Sequence, residues 1–137
     1  MTHCVLCEGT GEALLWQDAF CRVILVDDPG YPGFCRVIWH EHIKEMSDLS
    51  TVQQNRLMRV VFAAEAAIRD TLKPDKINLA SLGNVVPHLH WHIIPRFKHD
   101  THFPNPIWGA AQREYSANQD NNLIASVLKA ALSQRLS

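Results

Sequence analysis

Three histidines within five residues, in His88-Leu89-His90-Trp91-His92-Ile93-Ile94, are the densest chemistry in this 137-residue chain. A β-strand sends alternate side chains to opposite faces. On a strand, His88, His90 and His92 share one face, while Leu89, Trp91 and Ile93 turn to the core. Three uses of such a row compete. The rings can be satisfied structural groups. They can hold one catalytic metal, although the outer Cα atoms of a straight strand are about 13 Å apart and a zinc–nitrogen bond spans only about 2.0 Å. Or they divide the labour: one ring serves elsewhere, a neutral imidazole attacks as a nucleophile near pH 7, and another donates to the leaving or non-bridging oxygen. That division suits phosphoryl centres, because the phosphoramidate formed is itself reactive toward water.

Cys4 and Cys7 form a second cluster, a C-x-x-C with the spacing of half a zinc site. A redox pair of this kind usually opens a helix after a strand. Here Glu8-Gly9-Thr10-Gly11 follows and reads as loop. No second C-x-x-C exists, so histidine is the natural source of further ligands. Structural zinc, metal-free thiols and a redox pair remain open. Cys21 and Cys35 lie in apolar runs and read as buried thiols.

The elements that must position these groups follow from the pattern. Residues 21–26 and 35–39 are rich in β-branched residues and read as strands, with the turn-rich Asp27–Gly33 between them. Ser50 and Gln53 have capping-box spacing, and Leu57, Val61, Ala64, Ile68 and Leu72 follow at helical spacing, stopped by Pro74. Residues 76–82 read as a strand, Gly83-Asn84 as a turn, and 89–95 as a strand ended by Pro95. Residues 98–122 are polar and read as a long functional or dimer-contacting loop. Leu123, Ile124, Val127, Leu128, Ala131 and Leu132 predict a second amphipathic helix. Strands joined by turns, with helices set apart, predict an α+β fold, an antiparallel sheet with two main helices, in a single domain spanning residues 1–137. Before Ala13 the chain carries little apolar anchor.

Composition bounds the partners. Hydrophobic residues make up 47% of the chain, which fits a folded protein. A net charge of -1 gives no basic field for nucleic-acid polymers, so any nucleotide ligand is a small one. The sequence has neither the features of a signal peptide nor a run long enough for a membrane span. A cytoplasmic protein is expected.

The stretch His88 to Ile94 is a complete His-φ-His-φ-His-φ-φ pattern, φ being apolar, and on it the chain resembles the histidine triad (HIT) family of nucleotide hydrolases and transferases. The likeness extends through Asn78, Gly83-Asn84, the stretch CRVIWHEHIKEMSDL (35–49) and Pro95-Arg96, with PIWG (106–109) matching a late loop near the site. The bacterial members of the diadenosine polyphosphate hydrolase type are the resemblance that fits best. It implies His90 as the nucleophile that forms a covalent nucleotidyl intermediate, and His92 as the group that contacts phosphate and assists the leaving group. It implies substrate contacts from Asn78, Gly83 and Asn84. Asp27 is the choice for the ribose hydroxyls, against a solvated turn acid; Gly83-Asn84 can equally be an ordinary turn. The N-terminal pair resembles the galactose-phosphate uridylyltransferase branch, which implies structural zinc on Cys4, Cys7, His42 and His88, with His40 a competitor for His42. A homodimer sharing one continuous sheet is implied too. Two positions depart from the family pattern: Phe34 stands where many members carry His, and Val85 where many carry Ser or Thr. The expected function is cleavage at the α-phosphate of a small purine nucleotide, such as a diadenosine polyphosphate or an adenylylated amine. The alternatives are a nucleotide-binding regulatory protein with weak turnover and a zinc-dependent hydrolase.

Overall fold

The computed structural model describes residues 3–114 and 120–137, in which five strands form one antiparallel sheet. The strands are β1 (Ala13–Gln17), β2 (Cys21–Leu25), β3 (Cys35–Trp39), β4 (Lys76–Ala80) and β5 (His90–Arg96), in the order β1-β2-β3-β5-β4. A one-turn helix α1 (Val5–Glu8) precedes them; α2 (Thr51–Leu72) connects β3 to β4, and α3 (Asn121–Leu136) ends the chain. The fold is α+β with two main helices, as the sequence predicts.

The alternation of β2 and β3 decides the two faces. Cys21, Val23, Leu25, Cys35, Val37 and Trp39 point to one side, where they pack with Leu89 and Ile93 against α2 and α3. Leu57, fully buried there, is worth about 2–5 kcal/mol against truncation to Ala. Burial pushes the Cys21 and Cys35 thiols up to about 12, so both are inert core groups. The opposite face carries Arg22, Ile24, Arg36, Ile38, His90 and His92, brought side by side by the pairs Ile38↔His90 and Arg36↔His92.

Helix α2 starts as expected: Ser50 Oγ accepts from Gln53 N at 3.2 Å, and Gln53 Oε1 accepts from Ser50 N at 2.9 Å. It ends at Lys73, in the left-handed region, before Pro74. Several expectations are corrected. Pro95 lies inside β5 rather than ending it; pairing with β3 stops at Ile93, so the missing N–H breaks no ladder bond on that side. In α3 the buried stripe is Ile124, Leu128, Leu132 and Leu136, whereas Leu123 and Val127 are exposed. Strand β1 and helix α1 were not expected. The segment before Ala13 does have an anchor: Leu6 is buried with Ile24 and Ile38 on the histidine face. The expected loop 98–122 has no helix or strand among its described residues before α3, and 115–119 lie outside the description.

Gly33 sets the entry to β3. Its φ of +86° is a conformation that side chains rarely adopt, and a Cβ there would sit 2.2 Å from Leu72 Cδ1. That turn delivers Phe34 and Arg36 to the site.

Candidate active site and metal centre

His88 falls just before β5, and this small displacement separates its task from those of its neighbours. Leu89 N donates to Ile43 O at 2.7 Å, which draws His42 alongside His88. His88 is buried, and its Nε2–H donates to Trp39 O at 2.6 Å. A carbonyl can only accept, so the lone pair of His88 is on Nδ1. That atom lies 3.5 Å from Cys4 Sγ, 3.4 Å from Cys7 Sγ and 3.1 Å from His42 Nδ1. His42 Nδ1 is 3.3 Å from Cys7 Sγ. A tetrahedral zinc with ordinary bond lengths asks for ligand separations of about 3.3 Å between nitrogens and about 3.5 Å between nitrogen and sulfur. The four donors, all within 4.8 Å of one another, fit a Cys2His2 zinc site. The bond to Trp39 O is of the kind that orients a metal-ligating ring. His40, the competitor, turns away and bonds Asp18 O at 2.9 Å.

The N-terminal turn is tied down from both ends. Arg22 forks onto Glu12 at 2.7 and 2.8 Å and donates to Leu6 O at 2.6 Å. Val5 and Leu6 thereby become a wall of a cavity of about 410 Å³ that also holds Arg36, His90, His92 and Trp108. Gly83 and Asn84, with Leu82 and the exposed Val85, form its rim.

Within this cavity the His90 tautomer is set by the backbone. Nδ1–H donates to His88 O at 2.5 Å, so Nε2 carries the lone pair. His92 Nδ1 accepts from Arg36 Nε across 3.5 Å, a weak contact that leaves the proton on Nε2. Burial pulls both rings below the ordinary imidazole value, with Arg36 adding to the effect. For His92 the value falls to about 4, through burial first and then the neighbouring His90 and Arg36. Both rings are neutral near pH 7. His92 is boxed by aromatic rings: His90 at 4.9 Å, Trp108 at 5.2 Å and Phe34 at 5.7 Å between centroids. The apolar Phe34 that departs from the family pattern is therefore packing against His92.

A second cavity of about 440 Å³ shares Arg36 and Trp108 with the first. Tyr31, Phe34 and Ile107 give it apolar walls, and Asp27 lies on it. Asn78 is on the same face of the sheet, paired with Ile94 in register, but its Oδ1 accepts from Arg96 Nη1 at 2.8 Å and it lines neither cavity. Arg96 also forks onto the buried Asp100 at 2.8 and 3.0 Å. Asp100 in turn accepts from the backbone N–H groups of Phe97, His102 and Phe103. This network, rather than any helix or strand, holds the loop that carries Trp108 to His92. Arg36 is the site residue that sequence reasoning missed. The signal was strand parity, which needed the β3–β5 register to be read.

Comparison with known proteins agrees with this geometry. Residues 10–99 match the HIT domain family. An AP-4-A phosphorylase from Mycobacterium tuberculosis is 27% identical over 88 residues, 60% of this chain and 45% of that protein, so the chain spans less than half the length of that relative. The structure of a histidine triad protein from Bradyrhizobium japonicum superposes with a TM-score of 0.77 at 29% identity, covering 100% of this chain and 98% of the other. A Zn-bound histidine triad family protein from Mycobacterium smegmatis shares the fold, with a TM-score of 0.70 at 23% identity over 96% and 94% of the two chains. With His90 and His92 on β5, His88 just before it and residues 10–99 matched, the chain belongs to the HIT family.

Proposed function

We propose that this protein is a nucleotidyl hydrolase or transferase that cleaves a small purine nucleotide at its α-phosphate through a covalent nucleotidyl-His90 intermediate. The observation that carries this reading is the His90 Nδ1–H bond to His88 O, which leaves the Nε2 lone pair on a neutral ring lining a cavity. In the first step that lone pair attacks the α-phosphorus. The N–P bond forms, and the bond to the leaving group breaks with its electron pair on the leaving atom. The His90 ring becomes cationic, and its Nδ1–H bond to the His88 carbonyl stabilises that charge. His92 donates a hydrogen bond from its Nε2–H to the leaving or non-bridging oxygen, and its ring stays neutral. Water, or another acceptor, then attacks phosphorus and releases its proton to solvent, the N–P bond breaks and its electron pair returns to Nε2.

The substrates that suit this site are a diadenosine polyphosphate or an adenylylated amine, with Asp27 accepting from the ribose hydroxyls beside the aromatic walls of the 440 Å³ cavity. Gly83 and Asn84 contribute rim contacts to the phosphates. Asn78 contributes through Arg96, since its side chain is engaged there. Cys4, Cys7, His42 and His88 are proposed to hold one zinc ion; four protein ligands leave no open position for water, so the metal supplies a cross-link. The Zn-bound Mycobacterium smegmatis protein of the same fold supports that assignment. A cytoplasmic homodimer that extends the sheet across its interface completes the reading. Among the described residues no helix is long and apolar enough to cross a membrane.

The test is steady-state turnover over dinucleoside polyphosphates and adenylyl amines, with and without a chelator. His90→Ala should lower turnover by at least about a thousandfold while nucleotide still binds, as expected for loss of a nucleophile. Turnover that survives in His90→Ala but stops on chelation, with stability unchanged, would point to a zinc hydrolase instead. Tight binding with negligible turnover by the wild type would favour the regulatory reading.

A further inference from the structure

Strands β2 and β3 both begin Cys-Arg-Val-Ile, and the two arginines, Arg22 and Arg36, face the same side of the sheet. Arg22 is consumed by Glu12 and Leu6 O. Arg36 is not: among the described residues it makes no ion pair with any carboxylate. Its contacts are the long bond to His92 Nδ1 and the Phe34 ring, 5.7 Å from the guanidinium carbon. It lines both cavities, and neither has another lysine or arginine among its lining residues. Burial pulls its pKa below the ordinary arginine value, with Glu12 pulling the other way. A half-buried guanidinium without an anion is costly unless something completes it.

The distribution of charge says what completes it. Asp27 and Asp28 lie on the 440 Å³ cavity, so that end repels anions and suits hydroxyl donors. The junction of the two cavities is where Arg36 stands, beside the two reacting imidazoles. A planar guanidinium fork matches phosphate oxygens. Val85, exposed on the rim of the 410 Å³ cavity, offers no side-chain donor there.

We infer that Arg36 binds the phosphate chain of a nucleoside polyphosphate at the junction of the two cavities, and so commits the site to phosphoanhydrides with an anionic leaving group rather than to adenylylated amines. This rests on the nucleotidyl-transfer reading above and narrows it. The reaction is unchanged: the oxygen of the departing phosphate takes the electron pair, and Arg36 neutralises its charge.

The experiment uses Arg36→Gln and Arg36→Lys in the full chain, with melting curves to confirm folding. Inorganic tripolyphosphate is titrated calorimetrically; diadenosine tetraphosphate and an adenylyl amine are compared by kcat/KM. Arg36→Gln should weaken tripolyphosphate binding by about a hundredfold, the scale of a charge-assisted bond. It should lower kcat/KM on the tetraphosphate similarly and lower it on the amine by about tenfold less, the loss on the amine reflecting the bond to His92. Arg36→Lys should fall between, and it carries the test if Arg36→Gln does not fold. Unchanged tripolyphosphate affinity in a folded variant would overturn the inference, as would equal losses on both substrates or a wild-type preference for the amine. Failure of the underlying reading looks different: tripolyphosphate binds through Arg36, but neither substrate labels His90.

Discussion

At the scale of single residues, the site works by letting backbone carbonyls choose tautomers. Trp39 O holds the proton of His88 on Nε2, leaving the Nδ1 lone pair that the proposed metal site requires; His88 O holds the proton of His90 on Nδ1, leaving the Nε2 lone pair that the proposed attack requires. His92 is held neutral, and this has a consequence for stability. Its value is 6.5 when unfolded and about 4 when folded, so the unfolded chain binds more protons between those limits. The stabilisation from keeping His92 neutral is complete above pH 6.5 and is lost as pH falls toward 4. The melting temperature should therefore drop over that window, and His92→Gln should flatten the drop. A residual slope from His90 is expected, because that ring is shifted in the same direction. Identical slopes in the two proteins would remove His92 from the account. His92→Gln should also slow substrates with poor leaving groups more than good ones, measured as kcat/KM along a leaving-group series.

Among the elements, the ones that position the site are short and held by polar contacts. Helix α1 is one turn, fixed by Leu6, Arg22 and the cysteines, and its Val5 and Leu6 form a cavity wall. Cys4→Ser should lose about one zinc per chain by metal analysis and lower the melting temperature, since a structural metal contributes folding energy. Turnover should fall less than in His90→Ala, with KM rising as the wall loosens. Unchanged metal content would refute the assignment. The Trp108 loop hangs on Asp100, whose carboxyl is held below the usual range by Arg96 and backbone N–H groups, against the opposing effect of burial. Asp100→Ala strands the buried Arg96 and should cost about 3–5 kcal/mol, read by denaturant unfolding; a loss under 1 kcal/mol, roughly that of an exposed pair, would contradict this. Legibility also differed by element. The capping box of α2 and the strand runs of β2 and β3 are local signals and were readable. Helix α1 was not, because its stability comes from Arg22 and the second sheet face, which no local pattern encodes. Arg36 was hidden for the same reason: Cys-Arg-Val-Ile is identical in β2 and β3, and only the pairing with His92 distinguishes the two arginines. His42 and His40 are two residues apart past the end of β3, so alternation could not separate them, and the Leu89–Ile43 bond did.

For the whole molecule, one face of the sheet is spent on stability and the other on chemistry. Helices α2 and α3 cover the first, and the second is covered by helix α1 and the Trp108 loop, which are held by polar contacts. Strand β4 is an edge of the sheet, and pairing with a second copy there is the proposed dimer. Sedimentation should give a mass of about twice the 15.5 kDa chain; a monomer at micromolar concentration would remove the dimer without touching the triad. The central claim is covalent transfer to His90, and rapid quench with a radiolabelled dinucleoside polyphosphate tests it most directly. A nucleotidyl adduct should appear within the first turnover, stable to alkali and labile to acid, and map to the peptide containing His90. It should be absent from His90→Ala. Steady turnover by the wild type with no trapped label at any time, or label on another residue, would contradict the account.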